Sequence, residues 1–164
     1  MSLAAAPPLR VAVIGGARAS EAECKAAERL GSELATAGAV VICGGHGGVM
    51  EAVSKGANRA GGLTVGILPG SDAKAANPWI TLPLPSGMGE ARNALVVRTA
   101  EVVVAIGGEW GTLSEIALAR KMNISVVSLG VPPLEELDLE TLDTPEEAAE
   151  WALERALEGR KADR

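Results

Sequence analysis

Tyrosine and phenylalanine are missing altogether from this chain of 164 residues, and its aromatic residues are three tryptophans, Trp79, Trp110 and Trp151. Whatever core it builds must be filled by Val, Ile, Leu and Ala, without the large buried rings that usually dominate interior packing. One histidine, His46, and two cysteines, Cys24 and Cys43, form neither a metal-ligand spacing nor a disulfide framework, so no metal site is expected. No apolar run reaches the roughly 20 residues that cross a bilayer, and residues 1–8 lack a basic leader and a signal-peptide core. A cytoplasmic protein with no membrane partner is the expectation. Basic residues are not in excess either. Lys and Arg number 15 against 21 Asp and Glu, a formal charge of −6, which opposes the basic stripe that nucleic-acid binding requires. Two phosphate-binding fingerprints are also absent. Gly15-Gly16-Ala17-Arg18-Ala19-Ser20 does not read G-x-G-x-x-G, and nothing reads G-x-x-x-x-G-K-[ST]. An ordinary dinucleotide enzyme and a P-loop nucleoside triphosphatase are both disfavoured.

What the chain has is glycine, 20 residues of it, within an ordinary globular balance of 48% hydrophobic and 22% charged residues. The length suits one domain. Residues 9–14 read as a strand, Gly15 and Gly16 as a turn, and Ser20 with Glu23 as a capping box opening a helix to about residue 37. The theme then repeats. Strand 40–43 leads through Gly44, Gly45, His46, Gly47 and Gly48 into a helix over 49–60. Strand 63–68 ends at Pro69-Gly70, and a short fourth strand is expected over 79–82, before Pro83. A helix over 89–100, strand 102–106, a helix from near Thr112 to Lys121 and strand 125–129 follow. This organisation predicts a disordered arm at 1–8, a nucleotide- or phosphate-binding core at 9–130, and at 131–164 a linker with a terminal amphipathic helix. That helix is capped by Thr144, with Pro145 and Glu147 in its first turn; the acidic run 135–143 reads as solvated linker, or as a segment ordered only at the sheet edge. Alternating strands and helices predict an α/β, Rossmann-like, doubly wound parallel sheet with helices on both faces.

In such a sheet the ligand crevice lies beyond the carboxyl ends of the strands, where three glycine loops should converge. The most informative loop runs through Gly107, Gly108, Glu109, Trp110, Gly111 and Thr112 to Glu115. Glycines permit close approach, and the first amides of the following helix lack intrahelical partners at its positive end, so a phosphate fits there with the Thr112 hydroxyl as a further donor. Glu115, expected in the first helical turn, would repel a phosphate and is read as facing a sugar or base. Trp110 cannot easily be buried among glycines, which makes stacking on a planar base or pterin attractive. Arg18, after the first glycine turn, either reaches a phosphate or stays solvated. Arg92 is a clamp for phosphate or base, or a partner of Glu90 or Glu115, and the role of His46 stays open.

Gly44-Gly-His-Gly-Gly-Val-Met50, Gly87-Met-Gly-Glu-Ala-Arg-Asn93 and the Gly107 to Glu115 segment resemble the three signatures of the Lonely Guy (LOG) family, often labelled "possible lysine decarboxylase". The resemblance spans residues 9–130 and is greatest to the short branch that includes the molybdenum cofactor carrier proteins. For the enzymes of the family it implies hydrolysis of a nucleoside 5′-monophosphate to free base and ribose 5-phosphate, with Arg92 and Glu115 as the catalytic pair. There the glutamate would stabilise an oxocarbenium-like sugar. For the carriers it implies binding of a phosphorylated pterin without turnover. The phosphate loop maps onto Gly107, Gly108, Gly111 and Thr112, and Gly15, Gly16, Arg18, Gly44, Gly45, Gly47, Gly48, Asn93 and Trp110 are the further ligand-binding candidates. Two departures stand out. Ile106 replaces the family's proline, and Met88 and Arg92 are four apart with Asn93 following, so that loop is rebuilt. The preferred expectation is a binding protein for a small phosphorylated ligand, a nucleotide or the molybdenum cofactor, with no cofactor required. The alternative is a phosphoribohydrolase. No lysine lies in a pyridoxal-phosphate context, so the decarboxylase label is not supported. Homo-oligomers are implied by the family, and the small residues of helix 49–60 offer close packing.

Overall fold

The central strand β1, Arg10–Gly15, sends Val11 and Val13 into one apolar cluster and Ala12 and Ile14 into another, all closed to water. Alternating side chains buried on both sides require a strand in the middle of a doubly covered sheet. In the computed structural model, which describes residues 6–162, that is where it lies. To one side stand β2 (Val40–Cys43), β3 (Thr64–Leu68) and β4 (Leu82–Pro85); to the other β5 (Val102–Ile106), β6 (Ser125–Leu129) and β7 (Thr141–Leu142). The order is β4-β3-β2-β1-β5-β6-β7, and every pair is parallel. Helices α1 (Glu21–Thr36), α2 (Val49–Arg59) and α5 (Pro145–Ala162) cover one face, and α3 (Asn93–Thr99) and α4 (Trp110–Lys121) the other. The doubly wound Rossmann-like α/β expectation is met.

Two capping boxes set helix starts as the sequence indicates. Ser20 and Glu23 exchange side-chain and backbone bonds at α1, and Thr144 and Glu147 do so at α5. Between α1 and α2 the backbones touch. A Cβ on Gly31 would lie 2.1 Å from the Val53 carbonyl oxygen, and one on Gly56 only 1.8 Å from that of Glu28. Thus the small residues of α2, expected to serve contacts between copies, are used within the chain. Lys55 and Arg59 close the same seam by pairing with Glu28 at 2.9 and 3.0 Å.

Three local expectations are corrected. The fourth strand is Leu82–Pro85 rather than 79–82; as an edge strand it pairs only with β3, so Pro83 and Pro85 leave no interior ladder unmade. Trp79 lies before it, its carbonyl accepting from Thr64 Oγ1 at 2.8 Å and its ring 5.3 Å from the Arg59 guanidinium. The helix expected over 89–100 is a 3₁₀ turn, Gly89–Arg92, followed by α3, since Gly89 adopts φ +58°. Helix α4 starts at Trp110, which puts Glu115 in its second turn rather than its first. The acidic run is ordered at the sheet edge, the second of the two readings open for it: it forms a 3₁₀ turn, Glu135–Leu137, and the edge strand β7, where Ser128 N–H and Gly130 N–H donate to the Glu140 and Leu142 carbonyls. Residues 1–5 of the expected arm lie outside the described residues; the Pro7 and Pro8 carbonyls accept from Arg160 at 2.6 and 2.7 Å. No helix among the described residues is long and apolar enough to cross a membrane.

Candidate functional site

Chain order reverses at β1: the first four strands step outward to one edge, and β5 then returns to the opposite side of β1. Helix α1 leaves β1 toward one face and α4 leaves β5 toward the other, so the loops between them splay and open a crevice. A cleft of about 270 Å³ occupies it, lined by Gly15, Gly16 and Ala17 after β1, Gly44, His46 and Met50 after β2, and Pro69 after β3. Glu90, Arg92 and Asn93 come from the 3₁₀ turn and α3, and Glu109, Gly111, Thr112 and Glu115 from the α4 end.

The floor of the cleft holds two opposite charges that are scarcely exposed. The Arg92 side chain is 9% accessible and that of Glu115 8%, with Nη1 and Oε1 4.0 Å apart. Arg92 Nη1 donates to Asn93 Oδ1, while its Nε is buried with no hydrogen-bond partner among the described residues. Asn93 Nδ2 donates to Ser114 Oγ at 3.0 Å, and Ser114 Oγ donates to the Gly111 carbonyl at 2.7 Å, tying the arginine to the first turn of α4. The guanidinium also lies against the β2 loop. A Cβ on Gly44 would come within 2.8 Å of Arg92 Nη2 and 2.7 Å of Met50 Sδ, so the glycine makes room for the charge.

At 4.0 Å the pair is not hydrogen-bonded, and burial outweighs attraction at Glu115. Burial raises its pKa to about 7, Arg92 opposes the rise, and the neighbouring Glu90 adds to it. Burial and the Arg92 charge lower the His46 pKa, so the imidazole is neutral at pH 7. Beside the pair, the N-cap residue of α4, Glu109, makes no side-chain cap, leaving the amides of the first turn at the cleft wall; Thr112 there is almost fully buried.

Of the residues singled out from the sequence, Gly15, Gly16, Gly44, His46, Arg92, Asn93, Gly111, Thr112 and Glu115 meet in this cleft. Gly45, Gly47 and Gly48 are not among its lining residues; Gly48, at φ +64°, starts α2 instead. Gly107 and Gly108 turn the chain at φ +51° and +116°, and Gly107 faces Glu23 and a separate hollow. Arg18 is not among the lining residues either; it pairs at 3.2 Å with Glu109, which is. Trp110, 85% exposed, is not among the lining residues, although Glu109 and Gly111 on either side of it are. Glu109, Met50 and Pro69 line the cleft without having been singled out; a carboxylate inside a glycine loop was the legible signal for the first.

The chain belongs to the SLOG cluster4 family, whose sequence model matches residues 8–156. A relative from Archaeoglobus fulgidus, described as an uncharacterized protein, is 39% identical over 145 residues, 88% of this chain and 95% of the relative. Among solved structures, the molybdenum cofactor binding protein of the phototrophic bacterium Rippkaea orientalis superposes with a TM-score of 0.81 at 35% identity. It covers 90% of this chain and 96% of its own. The molybdenum cofactor carrier protein of Chlamydomonas reinhardtii gives 0.79 at 30% identity, covering 90% and 99%.

Proposed function

We propose that this cleft binds a small phosphorylated ligand, with a phosphorylated pterin of the molybdenum cofactor type as the first candidate and a nucleotide as the second, and that it holds the ligand without converting it. The observation that carries this reading is the buried Arg92, with an unpartnered Nε, set beside the uncapped start of α4. A buried cation without a hydrogen-bonded anion is unfavourable unless an anion completes it. Phosphate does so through charge-assisted bonds from guanidinium and helix amides. The first-turn amides and the Thr112 hydroxyl take the phosphate, and Gly44 keeps Arg92 in place. Glu115, half protonated near neutrality, both donates to and accepts from the polar edge of a pterin or guanine ring. Trp110 supplies the stacking surface over the rim. Cys43 is turned away, its Sγ within reach of Ser54 Oγ and the Met50 carbonyl, so the pterin and phosphate provide the grip. The likeness to the two molybdenum cofactor proteins supports the choice of ligand.

One observation favours a second reading. Arg92 and Glu115 stand together on the cleft floor, as a nucleoside 5′-monophosphate phosphoribohydrolase would require. Incubation with a panel of nucleoside 5′-monophosphates, scoring free base by chromatography, separates the two. Base release abolished by Glu115→Gln establishes the hydrolase. No release, with molybdenum cofactor or a nucleotide raising the melting temperature, establishes the binding protein. Neither release nor a shift with any of them overturns both.

A further inference from the structure

The acidic residue at the start of α4 makes an unusual contact. Glu109 occupies the N-cap position but makes no capping bond; its carboxylate reaches across the β1/β5 crevice to Arg18, whose Nη2 lies 3.2 and 3.3 Å from its two oxygens. It also lines the cleft. A carboxylate there sits at the positive end of α4, where a ligand phosphate would sit. Both partners are largely exposed, 86% for Arg18 and 60% for Glu109, so no packing holds them together and exchange of partners is easy. A second feature marks the same wall as built for an anion: Arg92 is nine-tenths buried there with its Nε unpartnered.

We infer that Glu109 stands in for the ligand phosphate, and that on binding Arg18 passes from Glu109 to that phosphate. This rests on the phosphate site proposed above. An incoming anion must displace an internal one. A phosphate dianion, held at once by the α4 amides and Arg92, does so.

The test is titration calorimetry of the full chain at low salt, with GMP and inorganic phosphate as probes. Glu109→Gln should tighten both by about three- to five-fold, as expected for loss of one exposed ion-pair competitor. The gain should fall toward nothing at about 1 M salt. Arg18→Ala should weaken GMP binding, and by more in the E109Q background than in the wild type, because there no pair has to be broken first. If the gain from E109Q persists undiminished in the R18A background, Glu109 acts by repulsion alone and the exchange is overturned. An unchanged E109Q, with GMP binding still lost in Arg92→Ala, overturns the exchange but keeps the phosphate site. Failure of wild type and E109Q alike to bind either probe overturns both.

Discussion

Replacing Glu115 with glutamine should erase a pH dependence of stability that the wild-type chain carries. The side chain is 8% accessible, and burial lifts its pKa from an ordinary 4.5 to about 7. Below pH 4.5 folded and unfolded chains both hold the proton. Between 4.5 and 7 the folded chain keeps a proton that the unfolded chain has released, so the native state binds more protons and its stability falls as pH rises. The stabilising contribution is therefore complete in acid and gone above pH 7. At about 1.4 kcal/mol per tenfold change in proton affinity, the difference between 4.5 and about 7 amounts to roughly 3 kcal/mol. Glutamine does not titrate. Any pH-independent effect of the substitution shifts the variant by a constant, and the attraction of Arg92 for the ionised carboxylate is already contained in the raised pKa. The difference between variant and wild type should then grow in favour of the variant by about 3 kcal/mol from pH 4.5 to 8.5, or about 6–12 °C in melting temperature for a chain of this size. Urea unfolding at half-unit pH intervals measures it, with the slope against denaturant checked for constancy. His46, whose pKa burial lowers, titrates in both proteins and cancels in the difference. Parallel stability curves across this range would refute the reasoning and place Glu115 in an environment as polar as the surface.

Three further outcomes follow from named contacts. Gly44→Ala drives a methyl against the ends of two flexible side chains, Arg92 and Met50, so the fold should survive while ligand affinity drops by about tenfold, read by calorimetry beside a melting curve. Gly56→Ala meets backbone, the Glu28 carbonyl at 1.8 Å, and should lower stability by about 3 kcal/mol in urea unfolding, since two helices must move apart. Trp110→Ala removes an 85% exposed ring and should leave stability within about 0.5 kcal/mol, yet weaken a ligand with a planar ring by about five- to 100-fold, as quenching of Trp110 fluorescence in the wild type would parallel.

The repeated strand, glycine turn and helix made most of the architecture legible, because period and punctuation are local properties. The aliphatic runs at β1, β2 and β5 mark strands buried on both faces, and Ser20 with Glu23 marks a helix start without reference to anything distant. Errors cluster where neighbours decide. Pro83 and Pro85 argue against a strand until an edge position frees their nitrogens, and Thr141 and Leu142 are too short a run to signal a strand before β6 offers its ladder. In α2 the small residues could equally face another copy or a neighbouring helix, and only the position of α1 settles it in favour of the latter.

The site divides along the same line. Residue types and spacing alone determined that glycine loops would follow strands and that those loops would meet at the carboxyl ends of a doubly wound sheet, while the resemblance to the LOG family pointed to Arg92 and Glu115 as one pair. Only the tertiary structure decided which atoms meet and in what state. It buried Arg92 with an unpartnered Nε, raised Glu115 to about 7, turned Arg18 toward Glu109 and left Trp110 in solvent. Those outcomes depend on distances and on water excluded by residues remote in sequence, and protonation and pairing follow from that local environment rather than from the order of residues along the chain.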